Sequence, residues 1–132
     1  MNDWKRNLKV VSNLGYRGQV LIEDVGVYLY THWGASELTK TVQKALAKKW
    51  RWDDPEYLAR IIFCEMVKGD EEGETGYGIG NSLHGDVWKL IVINCENKTV
   101  FVKSLLYQGE PETKFGGSFE DFIASEFKGD EE

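Results

Sequence analysis

A chain of 132 residues has the size of one domain and can bury roughly two-thirds of the surface its unfolded form exposes, which leaves no room for a second core. Hydrophobic residues at 42% and charged residues at 29% exclude a largely disordered chain. The net charge is −6, and half of it comes from Asp130, Glu131 and Glu132; such a surface argues against direct nucleic-acid binding, which needs clustered Lys and Arg.

Residues 1–16 alternate weakly at Leu8 and Val10 before a turn-like Asn13, Leu14 and Gly15, and read as an N-terminal extension. The domain proper spans 17–128, and 129–132 form an acidic tail. Residues 19–24 place Val20 and Ile22 on one face of a strand, and residues 27–33 follow after the glycine-containing turn at Gly26, which is a hairpin signal. In the second strand Val27, Leu29, Thr31 and Trp33 face one way and Tyr28, Tyr30 and His32 the other. Ser36 is placed to N-cap a helix running to about Trp50, with Leu38, Val42, Ala45 and Leu46 at helical spacing. Asp54 as N-cap and Pro55 at the first helical position predict a second helix over 55–67. Glu74 to Leu83 alternates glycine with larger residues, placing Gly76, Gly78 and Gly80 on one strand face. Residues 88–94 are apolar on both faces and suit a central strand. A turn leads into a strand over 99–106, residues 108–117 read as a loop, and Ser118 and Asp121 resemble a capping box before Phe119, Phe122, Ile123 and Phe127. The expected fold is therefore α+β, a mostly antiparallel sheet with helices packed on a face, in the order ββ-αα-βββ-α.

The longest apolar run, around 58–66, is broken by Arg60 and Glu65 and falls far short of the ~20 residues of a membrane span. The start of the chain lacks the apolar core and cleavage site of a signal peptide, so a cytoplasmic protein is expected. Cys64 and Cys95 lack metal or redox spacing and read as reduced, buried thiols. No motif points to a cofactor or a metal.

Few residues carry chemical promise. Glu65 falls inside the stripe formed by Leu58, Ile61 and Ile62, where a carboxylate must be paired, reach the stripe's edge or hold a proton. The commoner use is structural pairing; the functional one is a general base or ligand-orienting acid. His32 ends a strand just before a glycine and a helix start, with Tyr28 and Tyr30 on its face, so it is placed to stack on or hydrogen-bond a planar polar ligand. Gly76, Gly78 and Gly80 fit neither a P-loop nor a dinucleotide fingerprint; they suit close packing first and backbone access for a ligand second. A Cys64/His32 nucleophile pair has no support in spacing, and no Gly-x-Ser-x-Gly elbow occurs.

The segments from Tyr28 to Gly34, Arg51 to Pro55, Tyr57 to Met66 and Gly73 to Ile79 together resemble a family of small proteins of bacteria, archaea and their viruses. The likeness covers about residues 17–102 and includes His32, Trp33, Arg60, Glu65 and Gly76. No activity is attached to that family, so the resemblance supplies no catalytic role.

The leading expectation is a binding domain that recognises a small polar ligand or a protein partner at the His32 strand end, using Tyr28, Tyr30, His32, Trp33, Arg60, Glu65, Gly76 and Gly78. One alternative is a hydrolase-type enzyme with Glu65 and His32 as an acid–base pair and Arg60 steadying an anion. Another is an acidic interaction or mimic protein, for which the charge gives room but the tail supplies half. A homo-oligomer stays open.

Overall fold

The fold grows from the hairpin of β1 (Gly18–Ile22) and β2 (Val27–Thr31). The amides of Val25 and Gly26 both donate to the Ile22 carbonyl at 3.2 and 2.9 Å, and Gly26 takes a left-handed φ of 67°, a conformation glycine adopts without steric cost. This turn sets the register from Ile22 opposite Val27 to Gly18 opposite Thr31. The strand stops at Thr31, short of Trp33, because Thr31 Oγ1 accepts the Gly34 amide at 2.9 Å and turns the chain. These coordinates are a computed structural model, which describes residues 16–105 and 110–127. All but the last residue of the N-terminal extension, and the acidic tail, lie outside them.

Helix α1 (Ala35–Ala47) starts one residue before Ser36, whose hydroxyl does not cap it. Its first amide, from Ala35, donates instead to the Tyr16 carbonyl at 3.2 Å, so the chain leading into β1 takes up an otherwise orphan donor. The helix also ends before Trp50. The Leu46 carbonyl accepts both the Lys49 amide (2.9 Å) and the Trp52 indole N–H (3.1 Å), and Lys49 and Arg51 turn left-handed, each at φ 59°. Helix α2 (Pro55–Val67) follows its sequence signals: Asp54 accepts the Tyr57 amide at 3.3 Å and Pro55 fills the first helical position.

The remaining described elements are β3 (Tyr77–Gly80), β4 (Lys89–Asn94), β5 (Thr99–Ser104), β6 (Glu112–Ser118) and α3 (Phe119–Ala124). The six strands form one sheet in the order β3-β2-β1-β4-β5-β6, antiparallel except where β1 runs parallel to β4. The protein is thus a single α+β domain in which the expected order of elements holds. One further strand, β6, forms over Glu112–Ser118, where residues 108–117 read as a loop. Pairing with β5 supplies what local sequence does not: the Phe101 ring lies so close over Gly116 that a Cβ there would stand 2.7 Å from it, and the register shifts at Val102 and Lys103. β4 is central, as its two-sided apolar pattern indicates.

One face of the sheet presents Val20, Ile22, Leu29, Ile91, Ile93, Val100 and Val102, and these join Leu38, Val42, Leu46, Leu58, Ile62, Phe119 and Phe122 from the helices in the core. The alternation of β residues puts Gln19, Tyr28, Tyr30, Leu90, Val92 and Phe101 on the other face. No described helix packs there. Among the described residues no helix is long and apolar enough to cross a membrane.

Candidate functional site

The sheet order dictates where the site forms. β3 is at one edge and runs in the same direction as β4, which lies beyond β2 and β1, so the short connection 81–88 has to double back across a sheet face. It crosses the face on which no described helix packs, where Gln19 holds it: its Nε2 donates to the Ser82 carbonyl (3.1 Å) and its Oε1 accepts the His84 amide (2.9 Å). Gln19 is 1% exposed. Both ends of its amide are satisfied, as burial demands.

This crossing lays His84 on Tyr30, with ring centroids 4.6 Å apart. His32 stands edge-on to the same tyrosine at 6.4 Å. The chain's two histidines therefore meet on one phenol. Arg17 lies alongside His32, its Nε donating toward Nδ1 at 3.5 Å and its Nη2 lying 3.3 Å from Nε2, while Nη1 pairs with Asp86 Oδ2 at 3.2 Å. Burial, reinforced by the Asp86 carboxylate, pushes the Tyr30 hydroxyl above its usual pKa, against the opposing pull of Arg17. At neutral pH the phenol is a neutral donor in a ring-lined, partly desolvated spot.

The neighbouring strand adds a floor. Gly78 sits opposite Tyr30 and Gly80 opposite Tyr28, and a Cβ on either would meet nothing within 4 Å. Opposed residues of paired strands share a face, so backbone lies open beside the two tyrosines. Gly76 plays a different part. Its φ is 115°, a Cβ there would stand 2.8 Å from the Trp33 ring, and its carbonyl accepts the His32 amide at 2.8 Å. Trp33 in turn contacts His32 edge-on at 4.9 Å.

The structure thus gathers Tyr28, Tyr30, His32, Trp33, Gly76 and Gly78 around the β2–β3 end of the sheet. It does not bring Arg60 or Glu65 there. Both belong to α2, which packs through Leu58, Ile61 and Ile62 on the opposite face. The Glu65 carboxylate, its side chain 6% exposed, bonds Lys48 Nζ at 3.1 Å and Lys68 Nζ at 3.2 Å. Burial works against its charged form, but the two lysines outweigh it and hold the pKa below the ordinary carboxylate value. An acid–base pair of Glu65 and His32 is ruled out by this separation, and so is a single pocket joining the acid-bearing helix to the His32 strand end. Arg60 is exposed, with its Nη1 4.0 Å from Cys64 Sγ. The expectation of two buried thiols is also corrected: Cys64 shares the outward face of Arg60 one turn away, whereas Cys95 is buried, and burial with the nearby Asp24 pushes its thiol up to about 12.

Arg17, His84 and Asp86 escaped the sequence reading. The hairpin register that sets Gly18 opposite Thr31 continues to Arg17 opposite His32, so this contact was implicit in the turn. Nothing local marks His84 or Asp86, whose placement depends on strand order. No protein-family model matches the chain, and no curated protein or solved structure matches it either.

Two clefts lie elsewhere. One of about 590 Å³ is lined by Lys49, Arg51, Trp52, Asp53, Asp54 and Lys98; its cations are met by acids, Lys98 by Asp53, Arg51 by Asp54 and Lys49 by Glu120. Another of about 520 Å³ lies between α1 and the segment after α3, where Gln43 Nε2 donates to the carbonyls of Phe122 and Ser125, both at 2.8 Å. Their polar groups serve the fold first.

Proposed function

We propose that the protein is a binding domain that recognises a small planar polar ligand on the sheet face of Tyr28 and Tyr30, at the His32 end of β2. The observation that carries this reading is the convergence of both histidines and Arg17 on Tyr30 beside an open glycine floor. Tyr30, His32 and His84 offer ring faces for stacking, worth about 0.5–1.5 kcal/mol per aromatic pair beyond area burial. The Tyr30 hydroxyl supplies a donor. Arg17, half-satisfied by Asp86, supplies a cation that an acidic group on the ligand would recruit in a charge-assisted bond. Concave or ring-lined sites with few convergent polar groups are the usual form of small-molecule recognition.

The reading is tested by calorimetry and NMR against nucleosides, nucleotides and small aromatic acids. Binding should move the side-chain signals of Tyr30, His32 and His84, and Tyr30→Ala should weaken it by about tenfold or more, the loss of roughly one aromatic stacking partner and one hydrogen bond. If none of these compounds binds, or if Tyr30→Ala and His84→Ala bind as the wild type does, the ligand site is wrong.

A further inference from the structure

The two edges of the sheet are finished differently. β6 carries Glu112 and Lys114, is itself bulged at Lys114 and leads straight into α3, all devices that discourage a further strand. β3, Tyr77–Gly80, has none of them: no charge, no proline and no bulge. Its outward backbone groups can be named. The His32 amide donates to the Gly76 carbonyl, so Gly76, Gly78 and Gly80 fall at the hydrogen-bonded positions facing β2, and by alternation Tyr77 and Ile79 turn their N–H and C=O groups away from the sheet. Ile79 is 65% exposed, the most exposed large hydrophobic residue described, and Trp33 at the head of the strand is 47% exposed.

The glycines add a second signal. At the far edge a cross-strand aromatic covers glycine, Phe101 over Gly116; at this edge the rings of Tyr28 and Tyr30, though in register, leave Gly80 and Gly78 uncovered. A third comes from charge. Asp70, Glu71, Glu72 and Glu74 lead into β3, all exposed, and none of the ion pairs among the described residues involves them.

We propose that the outer edge of β3 is a strand-addition site for an extended segment of a partner protein, with aromatic side chains at alternate positions and lysine or arginine flanking them. The segment's main chain bonds to Tyr77 and Ile79, which gives affinity, and its alternate side chains give specificity. On one side an aromatic ring reaches over Gly78 or Gly80 toward Tyr28 and Tyr30; on the other side small side chains pack on Ile79. The flanking cations meet the acidic run at 70–74. Charge selects such a segment over a second copy of this chain, whose net charge of −6 repels its like. This surface borders the ligand site and shares Tyr28, Tyr30 and the glycine floor with it, but its main-chain contacts at Tyr77 and Ile79 do not involve His84, so His84→Ala should weaken binding of the ligand and leave the peptide bound.

The probe is a fluorescent peptide, Lys-Thr-Phe-Thr-Phe-Thr-Lys, followed by anisotropy, with a Glu-flanked twin as control. The Lys-flanked peptide should bind saturably, more weakly as salt rises, and shift the amide signals of Tyr77 and Ile79, while its Glu-flanked twin should bind about tenfold more weakly or not at all. Ile79→Pro removes only an outward-pointing donor, so the fold should survive and binding should fall by about tenfold or more. Ile79→Lys, which keeps the backbone donor and adds a repelling charge, gives the same direction and serves if the proline variant misfolds. The proposal is overturned if neither peptide binds, if both variants bind as the wild type does, or if sedimentation shows a dimer that Ile79→Pro dissolves, which would make a second copy the occupant.

Discussion

At the scale of single residues Glu65 shows how much a helical wheel can and cannot say. Its place in the apolar stripe of α2 was legible, because 100° per residue sets it between Ile61 and Ile62. Lys68 was legible too, three residues on. Lys48 was not, since it arrives from the preceding helix only when α1 packs on α2. Both lysines end at the solvent rim, so the consequences of substitution differ. Glu65→Gln loses two charge-assisted bonds and should destabilise by about 1 kcal/mol, a figure held down by the exposure of the lysines. Glu65→Leu fills the stripe and frees the lysines to water, so it should stay within about 1 kcal/mol of the wild type. Chemical denaturation of both variants measures this, and a leucine variant much weaker than the glutamine one would mean that a lysine had been stranded.

At the scale of elements the turns do more than reverse the chain. Asp24 in the β1–β2 turn accepts the amides of Cys95 and Glu96 at 2.7 and 3.0 Å, stapling it to the adjoining β4–β5 turn. Burial opposes its charge, but those amides prevail and lower its pKa. The native state therefore resists protonation where the unfolded chain accepts it. The stabilisation is complete above the unfolded value and is lost as pH falls through the lower native one. Asp24→Asn should flatten the acid limb of a stability-against-pH curve and lower stability near neutrality; an unchanged acid limb would show that other carboxylates dominate it.

Gly76 belongs to the same scale. Its positive φ and the Trp33 ring leave no space for a methyl group, so Gly76→Ala should destabilise by about 1–3 kcal/mol in a thermal or urea melt. A neutral result would place Trp33 elsewhere in solution. The boundaries of α2 were legible because Asp54 and Pro55 are local signals. The end of α1 was not, because the Trp52 indole and two left-handed basic residues end it from outside. β6 was hidden for a similar reason: its glycines weaken its own strand signal, and Gly116 is covered by the Phe101 ring of the neighbouring strand.

At the scale of the whole molecule the class of fold and the succession of elements could be read from periodicity, but the lateral order of the strands could not, and the candidate site depends on that order. His32 and the tyrosines share a strand face and so were visible together. His84 and Asp86 join them only because the chain passes from an edge strand to a central one over two intervening strands. The parallel pairing of β1 with β4, from Gly18 beside Lys89 to Ile22 beside Ile93, has a further consequence in time. Of the described strands β1 is made first and can pair at once with β2, a local event, while its other side waits for a partner made after both long helices and the opposite edge of the sheet. Closing so distant a contact is entropically costly and slow compared with forming a hairpin. The centre of the sheet therefore closes later than the hairpin, and until β4 is made the nascent chain carries an open strand edge of Val20, Leu21 and Ile22.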